Sequence, residues 1–427
     1  MGTSVLMPGF VRTDETLNCE GIPLDTIARA VGTPVYVYSA AVIRDRYTRL
    51  TTALAGVPHR IHYSLKANSS RGLLDLLRSM GSNADVVSGG ELFRARRAGF
   101  KPEEIVFGGV GKTREELSDA VREGVLLVNV ESEGELRLLD EVAREAGRVA
   151  PVAIRVNPEI SVETAHAYIK TGEKGNKFGV PYDEVVELAR LAHALPNVTL
   201  AGLDMHVGSQ LSHLQPYERG TERLMAICTQ LRSEGNDTLR YLDVGGGLAV
   251  RYDAETPPDL TRFAEIMVGV AQATGLQLIL EPGRFLVGDS AVLVTEVLYR
   301  KSSGGKEYVI TDAGMTELLR PSHYNAYHRI EAVHETAGTV KADVVGPVCE
   351  SGDFLALDRE VADAAPGALL AVHGAGAYGY AMAMNYNSRR RPAEVLVDGD
   401  RYAVITRRET YEDLVRAERE SPDWETA

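Results

Sequence analysis

Cysteine is scarce in this chain and widely scattered: Cys19, Cys228 and Cys349 are the only three among 427 residues. An odd number at such spacing argues against a disulfide framework and fits a reducing compartment, so a cytoplasmic location is expected. Excess positive charge is lacking too. The formal net charge is −14, which argues against nucleic acid or an anionic membrane as the main partner. Any anionic ligand must therefore be gripped by local donors. No apolar run approaches the ~18 residues of a membrane-spanning helix. Residues 1–9 lack a basic segment followed by a long apolar stretch, so no secretion signal is expected. Internal repeats and low-complexity linkers are missing as well.

What the chain has in quantity is glycine, 41 residues, with 44% hydrophobic and 25% charged residues. That is the composition of a globular enzyme with many tight turns, and the length exceeds one ordinary core. Short apolar, β-branched runs recur at 60–65, 84–87, 104–107, 126–130, 151–156, 200–206, 240–244 and 277–280. Amphipathic stretches lie between them, at 90–98, 113–123, 133–146, 182–194, 215–233 and 260–274, and a further helical pattern starts at Gly72. Strands alternating with helices imply parallel crossovers, and eight such units imply a closed barrel. The expected class is α/β: an eight-stranded (β/α)8 barrel over residues 35–284, plus a mostly antiparallel β-domain. That second domain is expected from residues 1–34 and 285–427, with strands at 290–299, 307–312, 342–348, 368–373, 393–397 and 401–406.

In such a barrel the ligand site lies at the C-terminal strand ends, and the unusual residues collect there. Lys66 ends the first run, in His62-Tyr63-Ser64-Leu65-Lys66-Ala67-Asn68. A desolvated ammonium at a strand mouth is expected to deprotonate easily and attack carbonyls; in isolation it reads equally well as a surface lysine. Asp85 ends the second run. Glu131 and Ser132 read as caps of the next helix. Gly245, Gly246 and Gly247 follow the seventh and would let backbone N–H groups cradle a phosphate, although three glycines are often only a turn. Glu281-Pro282-Gly283-Arg284 pairs a carboxylate able to keep a pyridine nitrogen protonated with a guanidinium able to grip a carboxylate. His206, with Ser209 close behind it, could stack on a flat ring or be an ordinary core histidine. In the second domain, Arg320, Tyr324, the pair Cys349–Glu350 and Tyr378 stand in turn-rich segments, where Cys349 is a candidate proton donor. Cys19 and Cys228 read as packing. No metal-ligand set is read from the sequence.

Taken in order, Tyr63-Ser64-Leu65-Lys66-Ala67-Asn68, Lys177-Phe178-Gly179, His206-Val207-Gly208-Ser209-Gln210, Glu281-Pro282-Gly283-Arg284, Cys349-Glu350-Ser351-Gly352-Asp353 and Gly376-Ala377-Tyr378-Gly379 resemble the barrel-type pyridoxal-phosphate-dependent decarboxylases, diaminopimelate decarboxylases in particular. The resemblance runs from about Thr33 to Val397; Arg390 departs from it where proline is frequent. It implies pyridoxal 5'-phosphate as cofactor and a homodimer whose sites combine one subunit's barrel with the other's β-domain. Residue by residue, it implies that Lys66 holds the cofactor covalently. Gly245, Gly246, Gly247, Gly283, Arg284 and Ser209 would surround its phosphate. Asp85 and Tyr378 would also line it, Glu281 would face the pyridine nitrogen and His206 would stack on the ring. Arg284, Arg320 and Tyr324 would hold the substrate's far carboxylate, Glu350 the distal amine, and Cys349 would supply a proton across the dimer interface. The implied reaction converts meso-2,6-diaminopimelate to L-lysine and CO2, the last step of lysine biosynthesis. Alternatives are a carboxynorspermidine or ornithine/lysine decarboxylase, an alanine racemase, and a non-catalytic cofactor-binding homologue; the paired arginines argue for a substrate with a distal carboxylate.

Overall fold

The computed structural model describes residues 8–160, 172–173, 175–422 and 424. The chain forms two compact units. One holds residues 40–290 with 376–381; the other holds the described residues of 1–39, 291–375 and 382–427.

The first unit is a closed parallel barrel. Its strands are β1 (His59–Ser64), β2 (Asn83–Val86), β3 (Ile105–Phe107), β4 (Leu127–Val130), β5 (Ala150–Asn157), β6 (Val198–Met205), β7 (Tyr241–Asp243) and β8 (Gln277–Leu280). They neighbour one another in chain order; β8 pairs with β1, and the β4–β5 pairing (Val128 opposite Val152) completes the ring. The runs are fully or nearly fully buried because helices cover their outer faces. Val106, Leu127, Ala153, Ala201 and Ile279, from five different strands, pack as one apolar cluster. The crossover helices start where the sequence offers caps. The Ser88 and Ser132 side chains accept the N–H groups of Glu91 and Glu135, and Thr113 with Glu116 forms a capping box. After β8 the chain turns at once into the short helix Arg284–Val287.

Register positions the chemistry. Ser64 on β1 lies opposite Asp85 on β2, and Asp204 on β6 lies opposite Asp243 on β7. Polar side chains at these strand ends therefore collect at the C-terminal mouth.

The second unit is a mixed sheet in the order Phe354–Ala362, Thr339–Val345, Lys306–Thr311, Ala291–Ser303, Val35–Ser39, Ala393–Asp398, Arg401–Thr406. Two of these pairings are parallel, Lys306–Thr311 with Thr339–Val345 and Ala393–Asp398 with Val35–Ser39; the others are antiparallel. Val35–Ser39, grouped with the barrel in the sequence reading, is hydrogen-bonded on both edges within this sheet. All five of its residues are buried, the pattern that a barrel strand would also show. Conversely, residues 376–381 belong with the barrel. A core of Phe10, Leu17, Cys19, Leu24, Ile27, Val37, Val292 and Val395 ties the N-terminal segment into the unit.

Candidate functional site

Lys66 sits in a single 3-10 turn, Leu65–Ala67, that caps β1. Its Nζ lies 3.7 Å from Asp85 Oδ2; the lysine side chain stays 37% exposed while Asp85 is almost wholly buried. Asp85 Oδ2 also accepts the Ser64 hydroxyl at 2.5 Å. The expectation of an easily deprotonated lysine is reversed. Burial does push the ammonium down, but Asp85, then Tyr378 and Glu281, outweigh it and hold the group above the ordinary lysine range. Lys66 is a cation ion-paired with the Asp85 carboxylate.

The glycine run after β7 is closely fitted. Gly245 N–H donates to Asp243 Oδ1 at 2.9 Å, and the Tyr217 hydroxyl donates to the Gly246 carbonyl at 2.8 Å. Gly245 and Gly247 adopt φ of +67° and +107°, the left-handed region that favours glycine. A Cβ at Gly245 would run into the Met205 carbonyl, at Gly246 into the Glu281 carbonyl, and at Gly247 into the Gly208 carbonyl. Gly283 brings the end of β8 against the lysine turn, where a Cβ would lie 3.0 Å from Ala67 Cβ and 3.1 Å from Ser64 Cβ.

Arg284 is buried and donates from Nη1 to the Tyr252 hydroxyl at 2.8 Å and from Nη2 to Ser209 Oγ at 3.2 Å. Its guanidinium also lies 4.8 Å from the Tyr378 ring centroid. Tyr378, at φ +58°, donates its N–H to the Ala67 carbonyl at 2.8 Å. His206 follows β6 with Nδ1 3.3 Å from the Gly246 N–H. Burial, with Lys66 and Arg155 nearby, pushes its pKa well below the usual value, so the ring is neutral. Glu281 is buried, and its Oε1 meets no hydrogen-bond donor among the described residues.

The barrel thus gathers Lys66, Asp85, His206, Ser209, Gly245, Gly246, Gly247, Glu281, Gly283, Arg284 and Tyr378 in one unit. Their chemistry fits pyridoxal 5'-phosphate. A crowded glycine cradle beside a guanidinium and a hydroxyl suits a phosphate, a buried acceptor oxygen without a donor suits a ring N–H, and a lysine suits an aldehyde.

Residue-type reasoning missed Asp204 and left Arg155, among the unusual strand-end residues, without a role. Arg155 on β5 donates to Glu131 Oε1 at 2.8 Å, lies 3.9 Å from Asp204 Oδ2 and stacks 5.1 Å from the Phe178 ring centroid. Glu131, read as a helix cap, instead accepts Arg155 and the Gly179 N–H at 2.9 Å; Ser132 is the cap. The missed signal was a charged residue inside a run otherwise fit for burial.

The remaining predicted residues lie in the second unit. Arg320 opens the helix Arg320–Tyr324, with its Nη1 3.0 Å from His328 Nε2. The turn that carries Cys349 and Glu350, both exposed, is held by Asp353, whose two oxygens accept the Met315 and Val348 N–H groups at 2.6 Å each. It packs on that helix: a Cβ at Gly352 would lie 3.2 Å from Ser322 Oγ. Cys19 and Cys228 are buried, and burial pushes both thiols up. Among the described residues, no helix is long and apolar enough to cross a membrane.

The chain matches the family described as pyridoxal-dependent decarboxylase, pyridoxal binding domain, over residues 40–288. It is 44% identical to the diaminopimelate decarboxylase of Aquifex aeolicus over 407 residues, covering 94% of this chain and 95% of that one. Identity to the Pseudomonas aeruginosa diaminopimelate decarboxylase is 45% over 413 residues, or 96% and 99% of the two chains. The crystal structure of the Helicobacter pylori diaminopimelate decarboxylase complexed with L-lysine superposes with a TM-score of 0.89 at 40% identity, covering 92% of this chain and 99% of that one. A barrel-mouth lysine, a glycine cradle and a buried carboxylate, on a chain this similar over nearly its whole length, make it a member of the diaminopimelate decarboxylases within the pyridoxal-dependent decarboxylase family.

Proposed function

We propose that the protein decarboxylates meso-2,6-diaminopimelate to L-lysine and CO2, with pyridoxal 5'-phosphate held by Lys66. The observation that carries this reading is the meeting of Lys66, the Gly245–Gly247 cradle and Glu281 at one end of the barrel. Bound pyridoxal 5'-phosphate supplies an electron sink for the pair left when the Cα–carboxylate bond breaks. Asp85, 3.7 Å from Nζ, holds and orients the Lys66 side chain, which must lose a proton before it can act as a nucleophile. Neutral His206 adds a flat face without charge. Glu281 holds the ring nitrogen's proton; each tenfold of rate it contributes corresponds to ~1.4 kcal/mol of differential stabilisation.

In this reading Arg284 serves the phosphate through its pairing with Ser209 and, with Arg320 and Tyr324, the substrate's distal carboxylate. Glu350 takes the distal ammonium, and Cys349 protonates Cα. In this reading the working enzyme is a cytoplasmic homodimer whose sites combine these second-unit residues of one subunit with the barrel of the other. The bound L-lysine of the Helicobacter pylori relative supports the product assignment.

The test is CO2 release by the reconstituted protein from meso-diaminopimelate, ornithine, lysine, arginine and carboxynorspermidine. Release from diaminopimelate with one lysine formed per CO2 is expected; preference for ornithine, arginine or carboxynorspermidine would overturn the substrate assignment.

A further inference from the structure

Asp204, Asp243 and Glu281 come from three adjacent strands or strand ends, and each is buried. One oxygen from each lies within 4.8 Å of the others. Asp243 Oδ1 is occupied by the Gly245 N–H, but among the described residues Asp243 Oδ2, Asp204 Oδ1 and Glu281 Oε1 meet no donor. Asn129 on β4, 1% exposed, approaches Asp243 without completing a hydrogen bond at either of its polar atoms. The cations are already committed elsewhere. Arg155 donates to Glu131 at 2.8 Å and only approaches Asp204 at 3.9 Å, while Lys66 faces Asp85. Buried acceptor oxygens this close together cannot all be ionised.

We infer that Asp243 and Glu281 share one proton in the cofactor-free protein, Asp243 as the anchored anion and Glu281 as the acid held against it. One proton held between the Asp243 and Glu281 carboxyl groups, which approach one another in this cluster, gives an unpartnered buried oxygen a partner. The division of roles follows from the surroundings. Burial raises Asp243 only to about 6, because the Gly245 N–H, and then the neighbouring Glu281 carboxyl, restrain it. Burial, then Asp243, Asp85 and Asp204, push Glu281 well above its ordinary value, with Lys66 pulling the other way. Asp204, raised by burial and by Asp243, adds no cation, and His206 is neutral. Asp243 is thus a positioning residue, and its catalytic consequence rests on the proposed reading of Glu281. The shared proton can pass to the ring nitrogen, an O–H bond breaking as an N–H bond forms, and return when the ring leaves.

The test uses cofactor-free protein at neutral pH and needs no turnover. The infrared difference between wild type and Glu281→Gln should contain a protonated-carboxyl band. In the Asp243→Asn background that band should shift in frequency and its titration midpoint should fall, and with Asp243→Glu both should be kept. Absence of the band in wild type, or its persistence unchanged in Asp243→Asn, would overturn the inference. Should Asp243→Asn fail to fold by far-ultraviolet circular dichroism, titration of the wild-type band decides. A midpoint above neutrality supports the shared proton, and one in the ordinary carboxylate range refutes it. Failure to take up pyridoxal 5'-phosphate would sink the proposed function while leaving this reading of the empty barrel standing.

Discussion

Glu91 opens the helix Gly89–Arg97 and accepts the Val87 N–H at Oε2, 2.9 Å away. Burial pushes its pKa from 4.5 to about 7, the Val87 bond pulls it back, and Asp85 adds to the rise. The folded state therefore binds this proton more tightly than the unfolded chain, and ionising Glu91 costs stability increasingly as pH climbs from about 4.5 to about 7. Glu91→Gln removes that cost. The melting temperature of the variant relative to wild type should rise across this interval and level off above it; a difference independent of pH would contradict the assignment. At Cys349 the expectation is chemical. Cys349→Ala should retain cofactor binding and lose roughly 10²-fold or more in turnover, and unchanged turnover would remove the thiol from the reaction. Residues whose role follows from their type and place, Lys66, the glycine run and Glu281 to Arg284, were legible in the sequence. Asp204 was not, and Arg155 was legible as a strand-end residue but not in its role, because the importance of both comes from register partners on other strands. The charge state of Lys66 was misread for the same reason: Asp85 stands 19 positions along the chain yet 3.7 Å away.

Among the elements, all eight barrel strands stood out because burial on both faces enriches them in short apolar, β-branched runs between helical patterns. The helix Leu24–Val31 escaped notice; eight residues give barely two turns of periodicity. Phe354–Ala362 was missed because Asp358, at φ +50°, and Arg359 and Glu360 interrupt its alternation, and its pairing carries register shifts. Crowding at the β7 loop gives a direct element-level prediction. Gly246→Ala forces a Cβ into the Glu281 carbonyl and should destabilise by ~1–3 kcal/mol and weaken cofactor uptake. Gly134→Ala, in the helix Glu133–Glu145 with open space at its Cβ, should stabilise by ~0.5–1 kcal/mol. Paired denaturant titrations check both, and equal shifts for the two variants would mean the loop tolerates a side chain.

For the molecule as a whole, the division of predicted site residues between two units motivates the shared-site homodimer. Lys66→Ala and Cys349→Ala proteins, each inactive or nearly so alone, should recover part of the activity when co-folded, since one site of a mixed dimer then has both groups intact. No recovery in verified heterodimers would restrict each site to one chain. The net charge of −14 is no obstacle to an anionic cofactor, because the glycine cradle, Ser209 and Arg284 supply donors locally.

The central claim is that Lys66 captures the cofactor aldehyde, and borohydride reduction of the loaded protein followed by peptide mass mapping tests it most directly. The account predicts one pyridoxyl-phosphate adduct per chain, on the peptide bearing Lys66. An adduct on another lysine, or a loaded protein with Lys66 unmodified, would contradict it.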